Sequence, residues 1–222
     1  MKKFPLIIIL SLLLSASGCS STSLVSSWKN PDIVLFDAYK VLVVGMTQNE
    51  RARLLFETNM RDEFIKRDIE AMRSLDIFDV AFTDSARSEE ELDEVEQQLL
   101  DKDFDAILFT KIIGYENKRT FREQVLDWET YMDGFKEDYN SNQGIYFNKN
   151  YYQDYDVYYA ETSLYCICVG KDRKLIWRGT IEITDPKNVG KVVDDYIQLL
   201  VYALQEQDLI IRKKTEDETT SL

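Results

Sequence analysis

Apolar and polar positions along this chain fall into blocks of changing period, and the periods predict the elements. Val41-Leu42-Val43-Val44 is an unbroken apolar run closed by Gly45, the pattern of a strand covered on both faces. Thr47 and Glu50 then stand in capping-box relation, and Ala52, Leu55, Phe56, Met60 and Phe64 follow at helical spacing. They predict an amphipathic helix ending near Lys66 and Arg67, whose charges suit the negative end of the helix dipole. Residues 69–75 carry a weaker apolar signal and read as a second strand. A second capping box, Ser88 and Glu91, precedes the buried stripe Leu92, Val95, Leu99 and Leu100. That stripe places the acidic run 89–96 in the first turn or on the outer face, as a solvated surface rather than a metal cluster. Residues 106–113 form the third apolar run and third strand.

Between 120 and 156 the periodicity stops. Tyr131, Tyr139, Tyr146, Tyr151, Tyr152 and Tyr155 are spread among Asn, Asp and Gly, in a segment too long for a simple turn. It reads as a tyrosine-rich insertion loop. Residues 157–169 and 175–184 then predict two strands joined around Gly170-Lys171-Asp172 as a hairpin. In the second, Leu175, Trp177, Ile181 and Ile183 fall on one face and Arg178, Thr180 and Glu182 on the other. Asp185-Pro186 is the expected start of a last helix, whose stripe Val189, Val192, Val193, Tyr196, Leu200, Ala203 and Leu204 is the most regular in the chain. Residues 24–28 offer an optional edge strand before Asn30-Pro31-Asp32 breaks it. The expected fold class is α/β: a single mixed β-sheet of order 2-1-3-4-5, counting the strand at Val41 as the first, with a C-terminal antiparallel hairpin and three main helices.

The N-terminal block has a different logic. Lys2 and Lys3 precede an apolar stretch from Phe4 to Leu14, then the small residues Ser15, Ala16, Ser17 and Gly18, then Cys19. This is the layout of a secretory signal peptide. Ala-Ser-Gly-Cys resembles the lipobox of bacterial lipoproteins, with Ala16 where leucine is more usual; the alternative is an ordinary secretory signal with an accidental cysteine. The resemblance implies that Cys19 is the lipid attachment site, bearing a diacylglyceryl group and an amide-linked chain such as palmitate. Two or more chains hold a protein on its membrane stably, whereas one holds it marginally. The implied division is a signal peptide at 1–18, a lipid tether with the possible edge strand at 19–38, one α/β domain at 39–211 containing the 120–156 loop, and a polar tail at 212–222. Ser20 is not the aspartate that marks inner-membrane retention in enteric bacteria. By resemblance the address is the cell envelope, on the outer membrane, at its periplasmic face or the cell surface.

Composition narrows the chemistry. The formal net charge is −13, two units more negative once Lys2 and Lys3 are removed, which disfavours nucleic acid and anionic headgroups as partners. Histidine is absent, which removes the commonest general base and metal ligand, and every Ser-His or Cys-His pair. Cys166 and Cys168 point to one face of a strand, either as a redox or metal pair or as two small buried hydrophobes. With no histidine or further cysteine to complete a ligand set, and a strained geometry for a bond between such neighbours, the second reading is favoured and no metal or cofactor is expected.

No G-x-x-x-x-G-K-[ST], G-x-G-x-x-G or G-x-S-x-G motif occurs, so no catalytic residue is assigned. The best place for a small ligand is the crevice at the carboxyl ends of the first and third strands, near 46–49 and 114–118. The segments Leu24-Val25-Ser26-Ser27-Trp28-Lys29-Asn30-Pro31, Lys40 to Gly45 and Arg53 to Glu57 resemble those of a group of uncharacterised bacterial cell-envelope lipoproteins. The element order is similar to the N-terminal domain of the Tol-system periplasmic protein and to lipoproteins that activate peptidoglycan synthases. Those are binding modules. The resemblance implies a lipid-anchored, non-enzymatic binding or adaptor module for an envelope protein or a peptidoglycan-type glycan. The alternative is a carboxylate-dependent hydrolase acting on envelope sugars or peptides. Tyr146, Tyr151, Tyr152 and Tyr155 form the candidate binding surface, since tyrosine suits recognition; equally, they could cover the sheet.

Overall fold

The computed structural model describes residues 22–115, 134–152, 157–167, 174–183 and 188–209. Its elements are β1 (Thr22–Lys29), β2 (Lys40–Met46), α1 (Glu50–Ile65), β3 (Glu70–Arg73), α2 (Ser74–Ile77), a 3₁₀ turn at Val80–Thr83, α3 (Glu89–Leu100), β4 (Ala106–Tyr115), α4 (Phe135–Asn142), α5 (Gly144–Phe147), β5 (Val157–Cys166), β6 (Leu175–Ile183) and α6 (Val189–Gln205). They build one mixed sheet in the order β1-β6-β5-β4-β2-β3. β2 runs parallel to β3 and β4, while the β4–β5, β5–β6 and β6–β1 pairs are antiparallel.

The protein is thus α/β with a single mixed sheet. Its specifics differ from the five strands and three helices expected. The segment read as tether and optional edge strand is a full sixth strand from Thr22, pairing with β6 as far as Lys29↔Trp177. Short helices α2, α4 and α5 are added where no apolar period marks them, because tertiary packing rather than propensity holds such short pieces.

The sequence explains how β1 is fastened. Trp28 packs on the core of one sheet face, and Lys29 Nζ donates to the Gln207 carbonyl at the end of α6, 2.6 Å away. Asn30 is buried, donating from Nδ2 to the Leu175 carbonyl while its Oδ1 accepts from the Asp32 amide. The Trp-Lys-Asn-Pro segment therefore closes the sheet edge and turns the chain off it.

Each sheet face has its own core. On one, Val41, Val43, Leu108, Leu164 and Trp177 meet Phe56, Met60 and Phe64 of α1 and Leu200 and Leu204 of α6. On the other, Leu42, Val44, Ile107, Phe109 and Tyr165 meet Leu92, Val95 and Leu99 of α3 with Phe135, Tyr139 and Ile145 of α4 and α5. The expected alternation of β6 fails at its start. A bulge opposite Leu164/Tyr165 puts Leu175 in the second core and Ile176 with Trp177 in the first, because one extra residue switches the faces.

Helix starts also correct the sequence reading. The N-cap of α1 is Asn49, whose Oδ1 accepts from the Ala52 amide, and Thr47 instead accepts from Asn49. The N-cap of α6 is Asn188; Asp185-Pro186 lies outside the described residues. The Ser88–Glu91 capping box is present in full. Glu96, expected on the outer face of α3, is buried.

Three helices share one stop. After α1, α3 and α6, Asp68, Asp103 and Asp208 adopt left-handed φ of 61°, 62° and 56°. The next amides, of Ile69, Phe104 and Leu209, donate back to the carbonyls of Phe64, Leu99 and Leu204. This is the Schellman closure with aspartate in the place usually held by glycine, and an apolar residue following it into the core.

Candidate functional site

The functional candidate lies at one end of the sheet. There the carboxyl ends of β2, β4 and β6 and the starts of β1 and β5 line up, with Thr22 facing Ile183, Ile183 facing Tyr158 and Tyr158 facing Gly114. Helices α1 and α6 cover this face and touch through Phe56 and Tyr196, whose rings meet edge to face at 5.8 Å. Toward their N-termini the sheet beneath includes the small residues Gly45, Thr110 and Ala160, and α1 includes Ala52. Small residues on both layers leave a cavity of about 480 Å³. That volume falls within the roughly 300–1,000 Å³ typical of sites enclosing a small organic molecule.

The walls are chiefly apolar: Met46, Phe56, Ile112, Ile183, Val192 and Val193, with Tyr152 and Tyr158 at the strand ends. The outer part carries Thr47, Gln48 and Asn49. Among the described lining residues none is Asp or Glu, and the single formal charge, Arg53, is already bonded to Glu57 and Ser74. The sheet side holds a hydroxyl cluster. Thr110 Oγ1 and Thr162 Oγ1 are 2.6 Å apart, and Thr162 is also bonded to the Tyr196 hydroxyl. All three residues are buried, and Thr110 and Tyr196 line the cavity. Burial pushes the Tyr196 phenol up to about 12, so it keeps its proton at neutral pH.

Beside the cavity, Glu57 is fully buried. Its Oε1 accepts from the Gly45 amide, Arg53 Nε and Ser74 Oγ, and its Oε2 from the Leu75 amide. Four donors saturate a buried carboxylate and lock β2, α1 and α2 together.

The opposite face holds a second polar group that the sequence reading missed. Asp138 of α4 is paired with Lys111 of β4 and, at 3.0 Å, with Arg178 of β6; Lys111 also reaches Glu161 at 2.9 Å. Tyr165 donates to Asp138, and Arg178 donates to Ser163 and Tyr165. The four charges cancel, and each residue is at most 6 % exposed. Burial alone would raise the Asp138 carboxyl, but the Lys111 and Arg178 charges outweigh it and hold the carboxyl below its usual range. Lys111 is opposed by burial in the same way, yet Glu161 and Asp138 raise it above the ordinary lysine value. Every member is engaged, so the cluster fastens α4 to the sheet rather than facing a substrate.

The predicted binding tyrosines do not form a free patch. The Tyr146 hydroxyl donates to the Gly45 carbonyl at 3.0 Å, and its ring lies under the Arg53 guanidinium at 4.9 Å; burial pushes its phenol well up. Tyr152 donates to the Ile112 carbonyl and faces the cavity. Tyr151 meets Tyr152 edge to face at 4.8 Å. Tyr146, Tyr151 and Tyr152 all pack against the second core. Of the two readings of this segment, the packing of these three tyrosines favours a cover over the strand ends: each ring finds an apolar partner and two of the hydroxyls a carbonyl. Tyr155 and Cys19 lie outside the described residues. Of the predicted crevice, 46–49 line the cavity while Gly114 is not in its wall, and 116–118 lie outside the described residues. Cys166 is buried in the first core, as expected of a small hydrophobe, but it is disulfide-bonded, with its partner outside the described residues, where Cys168 also lies. Among the described residues no cluster of three metal-ligating side chains occurs, and no helix is long and apolar enough to cross a membrane.

No protein-family model and no curated protein matches the chain. Among solved structures it is similar to a PelC dodecamer from Paraburkholderia phytofirmans, with a TM-score of 0.40 and 10% identity over 85% of this chain and 98% of that one. A single-substitution PelC variant from the same organism matches with a TM-score of 0.39 and 10% identity, over 83% of this chain and 98% of the other.

Proposed function

We propose that this protein is a lipid-anchored lipoprotein of the cell envelope, held on the outer membrane by Cys19, whose domain works as a non-enzymatic binding module. The observation that carries this reading is the apolar cavity at the strand ends, with no carboxylate among its described walls. A hydrolase working through carboxylates needs two of them facing a substrate at a fixed separation. Among the buried carboxylates, Glu57, Asp138 and Glu161 are instead held by cations and other donors. Recognition therefore moves from the tyrosine segment to the cavity that Tyr152 helps to wall.

Anchor and module are tested separately. Cys19→Ser should abolish labelling by a radioactive fatty acid and release the protein into the soluble envelope fraction. Peptide mapping of the unreduced protein should leave Cys19 outside any disulfide; a Cys19–Cys166 bond would exclude the anchor. For the module, a photoreactive residue replacing Gln48 at the cavity rim should give an adduct of fixed mass in the native envelope. Release of sugars or peptides from envelope preparations by the purified protein would overturn the non-enzymatic reading.

A further inference from the structure

The cavity lies at the end of the sheet where β1 begins. β1 begins at Thr22, and three peptide steps back along the chain is Cys19, a reach of at most about 11 Å. Thr22 in turn faces Ile183 across the β1–β6 pair, a spacing of roughly 5 Å, and Ile183 is in the cavity wall. A lipid on Cys19 would therefore hold this end of the sheet against the bilayer surface. The opposite end, where β2 and β4 begin, would be held away from it.

The cavity's chemistry suits what a bilayer surface offers. Its walls are apolar, and its one formal charge is neutralised by Glu57. The hydroxyls of Thr110, Thr162 and Tyr196 together carry three protons and six lone pairs, so bonds within the group fill at most half of the acceptor positions. A ligand placed against Thr110 and Tyr196 is best served by a hydroxyl, able to donate to an open lone pair and to accept. Along β4, Thr110 lies four residues inward from Gly114 at the strand end. The hydroxyl cluster is thus the deep end of the cavity, and the Gln48, Tyr158 and Ile183 region is the membrane end.

We infer that the cavity takes an uncharged, hydroxyl-headed aliphatic lipid directly from the membrane, head first. This rests on the lipid-anchor reading for its source, while the cavity chemistry stands apart from it. The lipid headgroup, already at the bilayer surface, enters toward Thr110 and Tyr196, and the chain follows along Ile112, Val192 and Val193. An ionised head would have no counter-charge inside, since Arg53 is already paired.

The test uses the full lipidated chain in phosphatidylcholine vesicles containing a diazirine-bearing fatty alcohol, with the Cys19→Ser chain in solution as a second arm. Illumination should place the adduct on peptides of β4, β5 or α6 that wall the cavity, and unlabelled fatty alcohol should compete. Ala160→Phe, which fills the cavity, should abolish the adduct. Should that variant melt early, Tyr196→Phe and Thr110→Val give the second readout: each should weaken competition by the alcohol about tenfold, the worth of one hydrogen bond to a buried group. Adducts elsewhere, an unchanged adduct in a normally melting Ala160→Phe protein, or equal competition by the ionised fatty acid would overturn the inference. Cavity labelling of the soluble arm, with no lipid found on Cys19 of the unsubstituted chain, would refute the anchor and leave the cavity assignment standing. A lipidated chain with no cavity adduct in either arm would do the reverse.

Discussion

The indole of Trp177 lies flat across Gly179, so close that a Cβ on the glycine would sit 2.2 Å from Cη2 and 2.4 Å from Cζ2 of the ring. Trp177 is fully buried at the centre of the first core, and the absent side chain is what lets so large a ring lie along its own strand. Gly179→Ala forces the ring or the strand to move. Overpacking of this kind costs about 1–3 kcal/mol, to be read as a lower urea midpoint. An unchanged midpoint would mean the ring has room that the structure does not show.

The cluster around Asp138 sets a pH dependence. Its carboxyl is lowered in the folded protein, so the unfolded chain binds the proton more readily. Its contribution is fully present above its ordinary value of about 3.9 and is lost as pH falls through the lower, folded value. Asp138→Asn should leave Lys111 and Arg178 short of a counter-charge, cost about 3–5 kcal/mol at neutral pH and flatten the acid limb of stability. Melting curves for both proteins between pH 7 and the acid range check the two effects together.

Aspartate at the helix stops is strained relative to glycine. At Asp103, exposed and at φ 62°, glycine removes the Cβ conflict of the left-handed region but adds freedom to the unfolded chain. Asp103→Gly should stabilise by about 0.5–1 kcal/mol, seen as a higher melting temperature. A fall would show that the Asp103 side chain holds the turn in some other way.

The last helix carries the most regular stripe. Leu200 is completely buried between sheet and helix, so Leu200→Ala should cost about 2–5 kcal/mol. Thermal melting unchanged within error would remove this face from the core.

For the tyrosines, the packing decides the direction. Tyr146→Ser removes a ring wedged between Arg53 and the second core, together with the bond to Gly45, and should cost about 3–5 kcal/mol. A normally melting variant would restore the tyrosine segment as a free surface.

By itself the sequence determined the elements that repeat a period. The apolar runs at 41–44 and 106–113, the capping box at Ser88 and the stripes of α1, α3 and α6 were legible, because each buries one regular set of side chains against a sheet. The mixed sheet follows from their order. What only the tertiary structure decided lies where residues far apart in sequence meet. Arg178 read only as part of the polar face of its strand and Lys111 as one residue of an apolar run, until Asp138, on a helix with no apolar period, comes over the sheet to neutralise them. The bulge at Ile176 moves Leu175 to the other face, and no local pattern announces a one-residue insertion. The cavity is likewise invisible in sequence. Gly45, Ala52, Thr110 and Ala160 are unremarkable singly, and they make a space only because two helices lie over one sheet at the point where all four are small.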